Sequence, residues 1–187
     1  MKSRSALAVI LLIAAAASGA ASARVRNVTD PDAPRSLPEE GPVSVRWGDP
    51  AQFSEIKLSH NRSESRRGNW VEQLATHLRN RAQKRLPAGQ RLDVDITDIE
   101  LAGDYEPWRG PQFYDTRFMR DVYPPRITLT FKHTGADGTV IAEGERKLSD
   151  MGYLMGVSGA TFDSDPLRYE KDLLDRWLAR EIAAPNS

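Results

Sequence analysis

Between Arg91 and Leu101 the chain alternates apolar and polar residues, then changes phase in mid-run. Leu92, Val94 and Ile96 alternate with Arg91, Asp93 and Asp95, whereas Ile99 and Leu101 fall on the opposite parity. Alternation with period two marks a strand with one dry face. A slip of one residue turns every later side chain to the other face. The run therefore predicts a β-bulge near Thr97 or Asp98, with strand on both sides and Gly103 as the stop.

The segments around this strand set the architecture. Val43, Val45 and Trp47 alternate with Ser44 and Arg46, a short strand closed by Gly48-Asp49-Pro50. Residues 54–68 are polar and read as a loop or helix approach. Val71, Leu74, Ala75, Leu78 and Ala82 then recur at three-to-four spacing, which predicts an amphipathic helix. Trp70 starts it, Asn69 or Ser65 is its candidate cap, and Pro87 and Gly89 end it. A helix between two strands makes them parallel neighbours, joined by a right-handed crossover. Arg126–His133 and Thr139–Leu148 flank the turn Thr134–Gly138 and predict an antiparallel hairpin, with Val140, Ala142 and Leu148 inward. A final helix begins with Asp165 as cap and Pro166 at its first position, and Leu167, Leu174, Trp177, Leu178 and Ile182 form its apolar side. The order β-α-β-β-β-α predicts an α+β domain: a small mixed sheet with two amphipathic helices packed on one face.

The ends of the chain read differently. Lys2 and Arg4 precede the apolar run Ala6–Ala17, and Ala21-Ser22-Ala23 is a small-residue cleavage pattern. These features predict a cleavable signal peptide over 1–23, cut after Ala23, and a periplasmic or secreted product. The run is too short for a membrane helix, which takes roughly 20 residues. Once it is removed, no integral membrane segment remains. Residues 24–42 carry four prolines and few apolar side chains and read as a disordered or extended lead-in. The single domain then spans 43–183, with 184–187 as a tail. The chain has no cysteine, so it must rely on an ordinary core. Its 26 basic and 26 acidic residues give no excess charge to attract nucleic acid.

Several motifs invite chemical readings. Asp93-Val94-Asp95-Ile96-Thr97 matches the aspartate pair of a phosphate-transferring hydrolase superfamily. There, however, the pair sits on a loop beyond a parallel strand of a doubly wound fold. Here both aspartates lie inside a strand, beside only one crossover. A calcium reading gathers Asp93, Asp95, Asp98, Glu100, Asp104 and Glu106, but Asp98 occupies the sixth position, where the helical calcium loop needs glycine. Gly156-Val157-Ser158-Gly159-Ala160 resembles a nucleophile elbow, yet Ala160 replaces its last glycine and no histidine follows His133. The three histidines are scattered and read as surface residues. Nothing in the pattern calls for a cofactor or a bound metal.

The aromatic residues are distributed unevenly. Of 14, eight lie in the two segments least like regular structure. Tyr105, Trp108, Phe113, Tyr114, Phe118 and Tyr123 fall in 103–125, and Tyr153 and Phe162 in 150–164. Arg109, Arg117, Arg120 and Arg126 stand among them. Aromatic planes and guanidinium forks recognise glycans, peptides and anions. The alternative is that the loops fold back and use these rings as a satellite core.

VSVRWGDP, LPAGQRLDVDITDIELAGDYEPW, VYPPRITLTF and DPLRYEKDLLDRWL, taken in this order, resemble a bacterial secreted family catalogued as domain-of-unknown-function family 3016. The resemblance runs from about Val43 to Ile182. It implies an exported, compact protein and carries over no catalytic residue.

The expectation is a non-enzymatic exported domain that binds a cell-envelope component or protein partner through loop 103–125. Trp108, Arg109, Tyr114 and Arg117 are its expected contacts, with Asp98 beside them at the bulge. One competing expectation is a metal-assisted hydrolase using Asp98, Glu100 and Asp104. Another is a structural subunit that docks by an exposed sheet edge.

Overall fold

The structure, a computed structural model, describes residues 27–155 and 164–182. The expected leader, the Gly156–Ala160 stretch, Phe162 and the tail lie outside the described residues. In chain order the elements are β1 (Val43–Trp47), α1 (Ser54–Leu58), α2 (Arg62–Ser65), α3 (Trp70–Arg85), β2 (Arg91–Glu100), β3 (Asp104–Tyr105), β4 (Arg117–Phe118), β5 (Arg126–Thr134), β6 (Val140–Ser149) and α4 (Arg168–Glu181). Four strands form a mixed sheet in the order β1-β2-β5-β6, and β3 and β4 pair as a separate ribbon. The protein is α+β.

β1 and β2 run parallel, with α3 between them in sequence. α3 buries Trp70, Val71, Leu74, Ala75, Leu78 and Ala82, the stripe expected from their spacing. Each large apolar side chain in it contributes about 1.5–3 kcal/mol on burial. Asn69 stands at the N-cap position, but its Oδ1 accepts from Gln73 Nε2 (2.8 Å) and caps no backbone amide. α4 starts two residues after Pro166. Asp165 still accepts the Leu167 amide at 2.9 Å, and Leu167, Leu174, Trp177, Leu178 and Ile182 are buried. Trp177 meets Phe131 of β5 edge to face, with ring centroids 5.6 Å apart.

The phase change in β2 is a bulge. The register against β5 shifts between Ile96 and Asp98, so Thr97 is the extra residue. Leu92, Val94, Ile96 and Ile99 are all buried, which a straight strand could not achieve. Asp93 and Asp95 occupy the open face. Asp95 accepts from Arg46 Nε at 3.0 Å and Asp93 from Arg91 Nε at 3.1 Å. The pairing also sets Lys132 between Asp93 and Glu143. The aspartates are thus members of alternating cross-strand charge pairs.

Three expectations are corrected. The lead-in, where described from residue 27, packs against the domain and does not trail free of it. Val28 and Leu37 are buried. The Leu37 amide donates to Val45 O (3.0 Å) and the Trp47 amide to Arg35 O (2.9 Å), and Ser36 bridges Arg46 antiparallel. The segment satisfies the outer edge of β1, whose backbone groups would otherwise be unpaired. Val140 is exposed, not inward. The register shift between His133 and Thr134 makes Ile141 an extra residue and reverses the phase at the start of β6. His133 is buried at the end of β5, where its Nε2 meets Gln90 Oε1 at 2.7 Å and burial lowers its pKa. No helix among the described residues is long and apolar enough to cross a membrane.

Candidate functional site

The bulge opens onto the end of the sheet where the irregular segments gather. Beyond Thr97, Asp98 turns to α1. Its two carboxylate oxygens accept from the Ser54 amide and the Ser54 hydroxyl, both at 2.6 Å. Phe53, at the N-cap of α1, offers no side-chain hydrogen bond, so Asp98 caps this helix from a neighbouring strand. Asp98, expected beside the contacts, anchors α1 in this way.

α1 carries Glu55, which is buried. Arg117 of β4 grips it with both terminal nitrogens, at 2.8 and 2.9 Å. The same guanidinium donates to the carbonyls of Ala102 (2.7 Å), Leu101 (3.1 Å) and Gly103 (2.8 Å). Glu55 also takes the Leu101 amide at 3.0 Å and the Ser65 hydroxyl at 2.7 Å. Burial opposes the charge on Arg117. The hydrogen bonds and charge of Glu55 outweigh it and hold the guanidinium pKa above its ordinary value. Arg117, expected as a contact, is therefore an internal strut. It fastens three consecutive carbonyls after β2 to α1. Gly103 makes this path feasible, with φ +76° and Phe118 O only 2.8 Å from where a Cβ would stand.

Two more buried carboxylates hold the loop. Glu106 receives Arg109 Nε on one oxygen and Arg120 Nε (3.0 Å) on the other, and the Tyr123 hydroxyl donates to it at 3.3 Å. Glu170 of α4 accepts the Ala102 amide at 2.6 Å. Its other oxygen is buried with no partner among the described residues. Burial raises the Glu170 pKa. Around it Tyr153 and Tyr169 meet edge on at 4.8 Å, beside Ala102 and Met119. Burial first, and then Tyr169, push Tyr153 up to about 12. Its hydroxyl donates to Arg120 O at 2.9 Å. Tyr153 does build a satellite core with Tyr169 and Ala102, one of the two outcomes open to the loop aromatics, and Tyr105 is buried apart from it.

Trp108, Phe113 and Tyr114 are exposed, whereas Phe118 and Tyr123 are half-buried. Trp108 is 61% exposed and Tyr114 51%. His60 supports Trp108 edge on, with centroids 5.1 Å apart, and its Nδ1 lies 2.6 Å from Asp104 Oδ2. Asn61 holds Tyr114 by donating to its carbonyl at 3.0 Å. Arg109 lies over the Phe118 ring at 4.7 Å. Ten large apolar residues are exposed among those described. Eight belong to this end of the sheet, namely Leu58, Trp108, Phe113, Tyr114, Val122, Met151, Leu154 and Met155. The other two, Val140 and Ile141, flank the opposite hairpin.

The carboxylates of the hydrolase expectation are each engaged with a different partner. Asp98 serves Ser54, Glu100 takes Arg126 Nη1 at 2.6 Å, and Asp104 pairs with His60. No group of three or more His, Asp or Glu side chains among the described residues is arranged to hold a metal ion. Glu55, Glu106, Glu170, Asn61 and His60, which hold the site in place, are not among the residues expected to form it. Only Glu170 carries a signal in the sequence, because it falls on the apolar stripe of α4 three residues before Leu173.

No curated protein and no solved structure is similar enough to match the chain. A family model does match, described as protein of unknown function (DUF3016), over residues 41–180. That span starts just before β1 and runs into the last turn of α4, so it takes in the whole sheet, both long helices and the loop end. The chain belongs to the DUF3016 family.

Proposed function

We propose that this is an exported, non-enzymatic binding domain that docks a protein partner of the cell envelope through the loop end of its sheet. The observation that carries this reading is the concentration there of eight exposed large apolar side chains, against two elsewhere among the described residues. Contiguous exposed apolar surface on a folded domain marks interaction sites. The chemistry is that of interface anchors: tryptophan, tyrosine, methionine and arginine, the types enriched where binding energy concentrates. The surface is also preorganised. Trp108 and Tyr114 rest on a loop fastened by Glu55, Arg117, Glu106 and Asn61, so little ordering cost falls on the binding step. The export reading is supported by the charged, apolar and small-residue succession of residues 1–23.

The test is photo-crosslinking in cells with a reactive amino acid placed at Trp108, at Tyr114 and, as reference, at Asp95 on the open sheet face. The expected result is a discrete protein adduct from positions 108 and 114 and none from 95. Equal yields at all three positions, or none at the loop, would defeat the reading.

A further inference from the structure

Two guanidiniums in the loop share one carboxylate. Arg109 and Arg120 each place Nε on Glu106, whose side chain is only 2% exposed. The arginines themselves are 40% and 42% exposed. Each is tied to Glu106 through Nε, one on each carboxylate oxygen, and the Arg109 guanidinium also lies over the Phe118 ring. One negative charge between two positive ones leaves a single positive excess. A carboxylate meant only to tie the loop down would be balanced by one cation, as Glu55 is by Arg117. A guanidinium offers five donors in a planar fork. With Nε engaged on Glu106, both side chains stay partly open to solvent, in the same loop as the exposed Trp108.

We infer that Arg109 and Arg120, oriented by Glu106, form a receptor for a carboxylate group carried by an acidic segment of the docking partner. This rests on the docking reading above and names the partner's chemistry. The charge count favours a carboxylate, since one negative charge neutralises the excess and a phosphate dianion overshoots it. Bidentate carboxylate recognition by arginine is directional as well as charged. It would set the orientation of a partner whose affinity comes from the rings around it. Arg120 takes the place that sequence reasoning assigned to Arg117.

The experiment uses the full mature protein with a short acetylated glutamate peptide, its glutamine counterpart and inorganic phosphate. Binding is followed through the Nε–Hε resonances of the arginine side chains. The glutamate peptide should shift Arg109 and Arg120 saturably, and the glutamine peptide should not. Arg109→Gln and Arg120→Gln should each weaken binding roughly tenfold, the loss expected for one charge-assisted hydrogen bond. Arg46→Gln, on the open sheet face, should bind as the wild type does. Equal response to both peptides, or wild-type affinity in Arg120→Gln, would overturn the inference. Tighter binding of phosphate than of the glutamate peptide would overturn the choice of carboxylate. The two-peptide comparison needs only the wild-type protein, so a misfolded variant leaves the test intact. Crosslinks from position 108 that persist in Arg120→Gln at wild-type yield would sink the receptor and spare the docking surface. Absence of crosslinks in the wild type would sink the docking surface itself.

Discussion

Glu170 shows how much one side chain decides at this site. It is buried, holds the Ala102 amide with one oxygen and leaves the other unpartnered. Arg117 and Glu55 are the charged groups that act on it. Its folded pKa lies above the unfolded value, so the folded state binds more protons in the window between the two. Stability from this group is full below the unfolded pKa and is lost as pH rises through the folded one. Glu170→Gln keeps the acceptor for Ala102 and removes the titration. Its stability relative to wild type should therefore be more favourable at about pH 8 than at about pH 4, which brackets the ordinary carboxyl range from below. Denaturant unfolding at both pH values checks this, and a pH-independent difference between the two proteins would refute it. Glu170 was legible in the sequence as a charge on an apolar stripe. The exchange of roles between Arg117 and Arg120 was not. Arg117 finds Glu55 across 62 residues of chain, and nothing local distinguishes an arginine that meets a buried carboxylate from one three residues on.

At the scale of elements, periodicity carried most of the fold and failed where an extra residue intervened unseen. The bulge in β2 was legible because apolar residues stand on both sides of the slip, so the phases can be compared. The shift at the start of β6 was not, because only Val140 and Ile141 precede it and both are apolar. The lead-in failed for another reason. Its prolines and low apolar content read as a disordered or extended lead-in, and side-chain composition does not report its backbone pairing to the edge of β1. Leu37 is the apolar anchor of that strip, and its amide makes one of the edge bonds. Leu37→Ala should lower the unfolding free energy by about 2 kcal/mol, the low end for a buried leucine near the surface. Removing the chain up to Glu40 should go further. It bares the β1 edge and should produce concentration-dependent association, visible by light scattering. A truncated chain as stable and monomeric as the full one would show that the strip is incidental.

Across the whole molecule, the two ends of the sheet and its two faces have separate tasks. One face is covered by α3 and α4, and the other carries charge pairs within and between strands that include Asp93 and Asp95. The loop end divides again, into an inward set that fastens and an outward set that is presented. Arg117 belongs to the first and Trp108 to the second. On the proposed reading, this division is what would let the loop serve as a binding surface as well as a satellite core. Breaking the buried pair by Arg117→Ala leaves Glu55 without its cation, which costs about 3–5 kcal/mol. Trp108 is exposed, and Trp108→Ala should stay within about 0.5 kcal/mol of the wild type, as surface substitutions do. The most direct measurement is therefore the unfolding free energy of these two variants side by side. Arg117→Ala should show a large loss and Trp108→Ala almost none. A loss at Trp108 comparable to that at Arg117 would mean the ring is there to hold the fold, and the docking surface would lose its principal anchor.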